Sequence, residues 1–585
     1  MREEWSLSND KAILNFSSRY CTSESEVIDS KGFLSILSHY LCHQERYQTK
    51  IYLLIQEKAV GDSIEEMVDY LRRLFKLLTN MDSKELGKTF PEYSYIYDQR
   101  LLMRRMVEEI YKYWRSLERY CLILENKQET GLANASFIEA KKRFDALILG
   151  LYRHVSNNIS CTLPNVFRQL PAGTNVGFTC KNIYWPIPNE YAFLEKIPFI
   201  TNIVLEAPLI TYPKRNKRDG IFKEVSVNPV SLIKVNPEHF FCYPAKVGSL
   251  LAYIYVERDF ITHGISLSNL FELATIQEVK GKKPDLLLIF GAENPGRKPE
   301  DVFFHDQDDQ MLVGYISHDL RYDYFGYMKK MTLTLHNVYQ IIHGNLPIHG
   351  AMVHIILKNG QKANVVIMGD SGAGKSESIE AFRSLADEHI SDMTVIFDDM
   401  GTFSKKDGKI LAYGTETGAF VRLDDLDTGY AFKELDRSIF MNPDKINARL
   451  INPVATYAEI MKGYKVDIFL YANNYDKLED GDNAILQFKN KEEAKDIFRA
   501  GKRMAKGTTT EQGLSTTYFA NPFGPIQREG ECEVLLDQYF EDLFKEGTFI
   551  GTMRTQLGIQ GYEKKGPERA ALDLFDLIKS LHKEK

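Results

Sequence analysis

The sequence of 585 residues has little cysteine, no surplus of positive charge and no long apolar run. Its seven cysteines are scattered singly and form neither a CxxC pair nor a Cys/His zinc pattern, so we expect reduced thiols rather than a disulfide framework. The net charge of −7 argues against general nucleic-acid binding, because no basic surplus is present to displace counterions. No apolar run approaches the roughly 20 residues that span a bilayer, and we expect no signal peptide. These features predict a cytoplasmic protein without a membrane or nucleic-acid partner.

The second half of the chain contains a phosphate-binding pattern. Residues 369–376 read Gly-Asp-Ser-Gly-Ala-Gly-Lys-Ser and match GxxxxGK[ST] in full. An apolar run at 363–368 predicts a strand before the pattern, and residues 377–383 predict a helix after it. In such a P-loop, backbone N–H groups and a helix N-terminus bind phosphate oxygens. The alternative, a glycine-rich turn with a chance Lys-Ser, is disfavoured by this local context.

We therefore expect the loop to bind a nucleotide. Its lysine would neutralise the terminal phosphates, and its serine hydroxyl would hold a divalent cation. The predicted nucleotide-binding residues of this segment are Gly369, Asp370, Ser371, Gly372, Ala373, Gly374, Lys375, Ser376 and Glu377.

A pair of acidic residues, Asp398 and Asp399, follows an apolar run at 393–397. This run predicts a strand, and α/β sheets bind ligands at the carboxyl ends of their strands. A carboxylate there could coordinate a cation next to Ser376, in the manner of a Walker B aspartate. The alternative is a solvated pair in a turn, which the nearby phosphate loop disfavours.

Residues 1–160 have a helical pattern. Apolar residues recur at three- and four-residue steps over 63–78, 100–124 and 136–153. Two of these segments begin with capping-box spacing, at Ser63 with Glu66 and at Ser136 with Glu139. The charged residues of this region are most simply solvated helix faces, and the alternative is an oligomerisation or protein-binding module.

From about Pro164 the pattern changes to short β-branched or aromatic runs between turn residues, which predicts strands. These runs lie at 199–205, 250–256, 285–290, 352–357, 363–368, 393–397 and 467–471, and a last helix is predicted at 567–578. We expect a mixed α/β (α+β) protein with an all-α N-terminal domain (1–160), an α/β lobe (161–345) and a lobe that contains the phosphate loop (346–585).

Two segments upstream of the loop carry further chemistry. Residues 324–330 read Tyr-Phe-Gly-Tyr-Met-Lys-Lys, and His349 follows Ile348. Taken singly, His349 is more often a structural histidine, and adjacent lysines are more often on the surface. In order with the loop and with Asp398-Asp399, however, these segments resemble the signature of ATP-type phosphoenolpyruvate carboxykinase. That family has Tyr-Gly-Gly-Glu-Met-Lys-Lys, Met-His, Gly-x-Ser-Gly-x-Gly-Lys-Thr and Gly-Asp-Asp in this order.

The resemblance extends from about residue 200 to the C-terminus, whereas the first 160 residues have no counterpart that we can name. Further segments resemble those of the family at 258–263, 283–295, 414–422, 447–449 and 510–523. The resemblance implies a two-lobed core in which residues 161–345 form the substrate side and the last lobe carries a lid. It also implies ATP- and divalent-metal-dependent decarboxylation and phosphorylation of oxaloacetate, or of a closely related acid, to phosphoenolpyruvate.

The resemblance implies roles for individual residues. Lys330, His349 and Asp399 would hold Mn²⁺, and Ser376 with the nucleotide phosphates would hold Mg²⁺. A metal-bound lysine must be neutral, so the pKa of Lys330 would have to be lowered. The remaining implied site residues are Lys375 and Arg449 on the transferred phosphoryl group, Asp398 in catalysis, Glu416, Arg449 and Thr510 on the nucleotide, and Tyr324 and, by a loose match, Arg215 on the organic acid.

Departures from the family's pattern concentrate around the acid and the lid. Phe325 and Tyr327 replace glycine and glutamate, Gln512 replaces the lid arginine, and Arg422 replaces lysine. The loop ending in Lys-Ser-Glu377 also looks like that of HPr kinase/phosphorylase, which has the same nucleotide core. Two alternatives therefore stay open: a kinase of this superfamily acting on another small molecule or a protein, and a non-catalytic nucleotide sensor whose N-terminal helices are the output.

Overall fold

The chain divides into two units, residues 1–164 and residues 165–585. The computed structural model describes residues 5–8, 11–15, 21–59, 61, 63–122, 132–162, 166–167, 176–205, 208–296, 298–370, 372–423, 434–479, 481–506 and 512–581. A further boundary between residues 345 and 346 stays a prediction.

Helices build most of the first unit. They are α1 (Glu24–Asp29), α2 (Lys31–Arg46), α3 (Lys50–Ala59), α4 (Ile64–Leu78), α5 (Ser83–Thr89), α6 (Tyr95–Asp98), α7 (Arg100–Ser116) and α8 (Leu132–Ser160). Helix α4 begins with the predicted capping box, in which Ser63 and Glu66 each accept a hydrogen bond from the other's backbone N–H. The apolar side of α4 packs into one core with α2 and α7.

The prediction that this unit is all-α was wrong. It also contains a three-stranded sheet of β1 (Trp5–Ser8), β2 (Lys11–Asn15) and β3 (Glu118–Leu122). Strand β3 lies where we expected the preceding helix to continue, and it pairs in parallel with β2. Pairing with a strand far away in the sequence overrides the local helical pattern. Ser136 is not an N-cap as predicted, because α8 already begins at Leu132.

Strands form the frame of the second unit. They are β4 (Val166–Phe167), β5 (Val176–Lys181), β6 (Phe199–Leu205), β7 (Leu209–Thr211), β8 (Lys223–Glu224), β9 (Phe240–Val247), β10 (Leu250–Glu257), β11 (Glu272–Leu273), β12 (Leu286–Ala292), β13 (Asp301–Asp306), β14 (Met311–Ser317), β15 (Leu346–Leu357), β16 (Lys362–Met368), β17 (Ile390–Lys406), β18 (Lys409–Gly414), β19 (Gly418–Arg422), β20 (Ile439–Met441), β21 (Arg449–Pro453), β22 (Tyr464–Lys465), β23 (Ile468–Asn473), β24 (Ile485–Gln487), β25 (Lys502–Lys506), β26 (Gln512–Thr516) and β27 (Phe549–Arg554). Every predicted strand overlaps one of them, and the mixed α/β class is confirmed.

Helices of the second unit lie between these strands. They are α9 (Ile261–Ser266), α10 (Ile276–Val279), α11 (Phe325–Ile342), α12 (Lys375–Ser384), α13 (Ala386–His389), α14 (Tyr457–Ile460), α15 (Lys491–Ala500), α16 (Glu529–Lys545) and α17 (Lys565–Leu581). Among the helices of both units that the structure describes, none has the length and apolar content needed to cross a membrane.

The first large sheet has ten strands. Its order is β4-β6-β9-β10-β12-β14-β13-β8, with β5 paired to β6 and β11 to β9. Strands β10, β12 and β14 run parallel at its centre. Every residue of β12 and β14 is buried, which explains their continuous apolar sequences. Separate apolar clusters cover the two faces.

The second large sheet has eight strands in the order β22-β18-β17-β15-β16-β23-β27-β24. Strand β17 is longer than predicted and continues through Asp398 and Asp399 to Lys406. The acidic pair therefore lies inside a strand and not at its end, which corrects the expectation from sequence. The extension is stabilised by antiparallel pairing with β15 on one side and β18 on the other.

Helix α11 links the two sheets. It packs against β12 and β14 of the first sheet and against β15 of the second. Nearly all of its residues are buried, including Lys329. The common expectation that adjacent lysines are exposed thus fails here, and a buried lysine requires an ionic partner.

The buried imidazole of His336 on α11 predicts a pH-dependent stability. Burial lowers its pKa to about 4, compared with roughly 6.5 in an unfolded chain. As the pH falls through this window the unfolded chain takes up a proton that the folded chain does not, so the free energy of unfolding decreases. We expect His336→Gln to flatten this decrease in urea unfolding measured between about pH 4 and 7. The exposed His343→Gln should keep the wild-type slope, and an unchanged slope in His336→Gln would contradict the account.

Candidate active site

The predicted phosphate loop lies between β16 and α12. After Met368 the backbone turns through Gly372 and Gly374, which have φ angles of 80° and 106°, and α12 begins at Lys375. This left-handed conformation is one that glycine adopts without strain. A Cβ atom on Gly374 would lie 2.8 Å from Thr555 Oγ1, so this position also lacks space for a side chain.

Lys375 lies buried at the start of α12. Its Nζ donates a hydrogen bond of 2.5 Å to the Gly369 carbonyl oxygen. Burial lowers the pKa of Lys375, against the attraction of Asp399. An ammonium group has three donors, so donors remain for a phosphate bound in the loop. Other predicted nucleotide contacts lie outside the described residues: Ser371 and Thr510 entirely, and Ser376 in its side chain.

Two lysines and a histidine converge on one carboxylate. Lys329 Nζ and Lys330 Nζ each lie 2.6 Å from Asp399 Oδ2, and His349 Nε2 lies 3.1 Å from Asp399 Oδ1. The lysines come from α11, His349 comes from β15 and Asp399 comes from the neighbouring β17. We call these four residues the Asp399 cluster. The structure thus brings together the three predicted Mn²⁺ ligands, Lys330, His349 and Asp399, and adds Lys329.

The hydrogen bonds of His349 define its tautomer. Its Nδ1 lies 2.7 Å from the Ala520 carbonyl oxygen, which can only accept, so Nδ1 carries a proton. Burial and then the charge of Lys375 lower the pKa of His349, which favours the neutral ring. A neutral Nε2 and Asp399 Oδ1 are both acceptors, and a cation shared between them would satisfy both. A histidine that donates its second nitrogen to a carbonyl is the usual arrangement of a metal ligand.

The two lysines differ in their electrostatic surroundings. Burial lowers the pKa of Lys329, but the carboxylates of Asp399 and Glu416 outweigh it and raise the pKa above its usual value. Burial, opposed by Asp399 and reinforced by Lys329, lowers the pKa of Lys330 to about 8. Burial by itself would raise the pKa of Asp399, but the charges of Lys329 and Lys330 outweigh it and hold the pKa well below its usual value. Lys330 is therefore closer than Lys329 to the neutral state that a metal ligand needs.

Glu416 lies beside this cluster. Its Oε1 is 3.0 Å from Lys329 Nζ, and burial raises the pKa of Glu416 to about 7, against the charge of Lys329. Its expected contact with the nucleotide stays a prediction.

Asp398 is the neighbour of Asp399 on β17, and successive residues of a strand point to opposite faces. Burial raises its pKa to about 6, against the charge of Arg383 on α12. The predicted catalytic role of Asp398, and its cation shared with Ser376, stay predictions.

A buried salt bridge connects the loop with the Asp399 cluster. Asp370 Oδ2 accepts hydrogen bonds from Arg503 Nε at 3.1 Å and from Thr517 Oγ1 at 2.8 Å. Asp370 Oδ1 lies 3.7 Å from His349 Nδ1, and the Gly369 N–H donates to the His349 carbonyl oxygen. Sequence reasoning missed Arg503, which stands in no motif that would have indicated it.

Phe420 on β19 gathers several predicted site residues around one ring. Arg449 Cζ and Lys329 Nζ each lie 5.3 Å from the ring centroid. The ring of Tyr324 lies 6.2 Å from it, and that of Phe325 lies 5.3 Å from it. Tyr324 and Arg449 are thus brought to the Lys329 side of the cluster. The segment that carries Phe420 resembles the family, but Phe420 itself was missed.

The structure distinguishes the two arginines of segment 215–219. Arg215 has a side chain that is 45% exposed, and it lies 3.5 Å from Asp219. Arg218 Cζ lies 5.4 Å from the centroid of the Phe523 ring, and Lys330 Nζ lies 4.5 Å from the same centroid. Burial lowers the pKa of Arg218. Arg218, rather than the predicted Arg215, is therefore the arginine on the side of the Asp399 cluster.

A cleft of about 590 Å³ opens beside this segment. Its lining residues are Lys214, Arg215, Asp219, Asp301, Asp319, Leu320, Arg321, Tyr322 and Tyr327. Tyr327 stands on the first turn of α11, two residues before Lys329, and its hydroxyl accepts a hydrogen bond of 3.1 Å from the Asp219 N–H. Basic and acidic side chains alternate around the cleft, so it suits a ligand that carries charges of both signs.

The geometry of Gly374 allows a test of whether the loop binds the phosphates of a nucleotide. Gly374→Ala would strain the backbone and push a methyl group against Thr555, so we expect nucleotide affinity to fall at least about 10-fold. Gly360→Ala is the matched control, because Gly360 has a φ of 83° with open space around it. Calorimetric titration with ATP and Mg²⁺ measures the difference. Equal affinities in both variants would exclude the loop as the phosphate site.

No model of a protein family matches the chain, and no curated protein matches it. The assignment of function therefore depends on the geometry of the Asp399 cluster and the loop beside it.

Proposed function

We propose that this chain is a nucleotide- and metal-dependent phosphotransferase whose leading reaction is that of phosphoenolpyruvate carboxykinase. ATP would phosphorylate oxaloacetate, or a closely related acid, with loss of carbon dioxide. One observation carries the proposal: Lys330, His349 and Asp399 meet directly beside a glycine-rich loop that ends in Lys375. Binding a nucleotide requires the loop but does not require this second set of ligands.

The residues of the cluster fit a divalent cation such as Mn²⁺. His349 offers a neutral Nε2 toward Asp399, and its Nδ1 is fixed by the Ala520 carbonyl. Lys330 has a lowered pKa, and Asp399 stays ionised. A cation at this position would supply Lewis-acid stabilisation of negative charge on a substrate oxygen. The predicted Mg²⁺ would accompany the phosphates at Ser376.

The chain's own residues can perform the remaining work. Lys375 within the loop and Arg449 on the other side would neutralise the phosphoryl group during transfer. Phe420 and Phe523 lie over the basic side chains and limit the access of water to them. Tyr324 and Arg218 stand where an organic acid could be held against the cluster.

A second candidate is a kinase of the same superfamily that acts on a larger acceptor. The cleft beside Tyr327 favours it, because about 590 Å³ exceeds what a four-carbon acid needs. Tyr327 and Phe325 also replace the small and acidic residues that the family uses there. A non-catalytic nucleotide sensor would not need the Asp399 cluster. A partner that binds the N-terminal helices stays a prediction.

Two variants test the proposal. Lys330→Ala and His349→Ala should each reduce Mn²⁺-dependent turnover at least about 100-fold, because each removes a ligand of the cation. ATP affinity should stay within about threefold, since the loop is untouched. Lys362→Ala, at an exposed lysine that begins β16, is the control and should behave as wild type. The assay follows ADP-dependent fixation of bicarbonate onto phosphoenolpyruvate, and ATP turnover with oxaloacetate.

The outcomes separate the candidates. ATP turnover that is indifferent to oxaloacetate would reject the carboxykinase reaction and support the kinase. Tight ATP binding without turnover on any acceptor tested would support the sensor. A collapse of ATP affinity in both variants would contradict the division of the site into a loop and a metal pocket.

The two arginines give a matched pair for the acceptor side. Arg218→Met should raise KM for the acid about 10-fold or more, because it removes a half-buried guanidinium next to Phe523. Arg215→Met should have a much smaller effect, since its side chain is 45% exposed and pairs with Asp219. Steady-state kinetics with the acid as the varied substrate measures both. A larger rise in KM for Arg215→Met than for Arg218→Met would support the sequence prediction that Arg215 binds the acid.

A further inference from the structure

A second group of potential metal ligands lies at one edge of the ten-stranded sheet. Glu257 is the last residue of β10, Asp259 lies two residues later, and His318 directly follows the last residue of β14. These strands are parallel and flank β12, so the three residues meet at the carboxyl ends of parallel strands. This is the position at which open α/β sheets bind their ligands. We call Glu257, Asp259 and His318 the sheet-edge triad.

The ligand atoms of the triad lie within 4.8 Å of one another. His318 Nε2 is 3.1 Å from Asp259 Oδ2 and 3.9 Å from Glu257 Oε2. An imidazole also stands at the other oxygen of Glu257, where His239 Nδ1 is 3.9 Å from Oε1. The side chain of Glu257 is 9% exposed, whereas those of His318 and Asp259 are 35% and 62% exposed. The triad thus has a buried inner ligand and a side that an ion can enter.

The backbone is shaped to let these residues approach. Gly291 of β12 has a φ of 88°, and a Cβ there would lie 2.9 Å from Glu257 Cβ and 2.7 Å from the Phe260 ring. The pairing of β12 with β14 shifts register beside Gly291, between Phe290 and Ala292. Bulges of this kind redirect side chains at sheet edges. Glycine at this position therefore allows β10 and β14 to bring their ends together across β12.

We propose that the sheet-edge triad binds one Zn²⁺ ion. Imidazole nitrogens and carboxylate oxygens are both zinc ligands, and three protein ligands leave the fourth tetrahedral position to water. Arg258 competes with an ion for the triad, because its Nε lies 3.7 Å from Glu257 Oε1. Glu257 also accepts a hydrogen bond of 2.6 Å from the Asp259 N–H. This bond orients the carboxylate, as the outer hydrogen bonds of metal ligands do. His239 Nδ1 lies 3.9 Å from the other oxygen, and in this proposal it acts as a positioning residue.

The position of the triad gives the ion a structural effect. His318 is followed directly by Asp319, Leu320, Arg321 and Tyr322, which line the charged cleft. An ion bound to His318 would anchor the start of this segment to β10. The proposal concerns residues outside the Asp399 cluster, and it stands whether or not the chain is a phosphotransferase.

The experiment uses the full chain with His349→Ala, so that the Asp399 cluster does not contribute a second site. The metal-free protein is titrated calorimetrically with Zn²⁺. We expect one ion per chain, with affinity reduced at least about 100-fold by His318→Ala and by Asp259→Asn, and about 10-fold by His239→Ala. His343→Ala, at an exposed imidazole on the end of α11, should leave the affinity unchanged.

The result can go against the proposal in two ways. The absence of stoichiometric binding in the His349→Ala protein would overturn it. Binding that is equal in the His318→Ala, Asp259→Asn and His343→Ala proteins would place the ion elsewhere and overturn it as well. If His318→Ala fails to fold, Asp259→Asn alone tests the proposal. Asp259 is mostly exposed, and asparagine keeps the shape of the aspartate side chain.

Discussion

Charged side chains are stable in a protein interior when they are paired, and in this chain one carboxylate pairs with two lysines. Asp399 joins Lys329, Lys330 and His349 at distances of 2.6 to 3.1 Å. Removing Asp399 would take away the carboxylate nearest to the buried Lys329 ammonium group, and loss of one member of a buried ion pair typically costs about 3–5 kcal/mol. The contact therefore ties α11 to β15 and β17 and positions the site. Preorganised charges of this kind need little rearrangement when a ligand binds.

The predicted phosphate loop is positioned by the same framework. Its strand, β16, pairs with β15, so the backbone of His349 lies next to Gly369. Asp370 of the loop and Arg503 form a second buried ion pair beside the His349 ring. A nucleotide in the loop and a cation at the cluster would thus be held by neighbouring strands of one sheet. In the proposed function, this proximity would distinguish a phosphotransferase from a protein that only binds a nucleotide.

The sequence predicted a structural feature most fully when the residues that form it lie in one contiguous segment. The loop is one contiguous pattern, and it lies between a strand and a helix as predicted. Lys330, His349 and Asp399 come from three separated segments, and the order of those segments in the family signature indicated that they belong together. Lys329, Phe420 and Arg503 were missed because their burial and partners arise from tertiary packing. The same cause explains the errors at β3 and β17, where pairing with distant strands overrides the local pattern. The position of Arg218 next to Phe523 could not be predicted from a basic segment, and the binding of the acid by Arg215 stays a prediction.

The central claim is that the Asp399 cluster is a metal site next to a nucleotide loop. The most direct measurement is anomalous X-ray diffraction from crystals of the full chain grown with Mn²⁺ and a non-hydrolysable ATP analogue. The account predicts a manganese peak within about 2.5 Å of His349 Nε2 and Asp399, with Lys330 Nζ as a further ligand and phosphates in the loop. Manganese bound to the phosphates alone, with His349 Nε2 still in contact with Asp399, would contradict it.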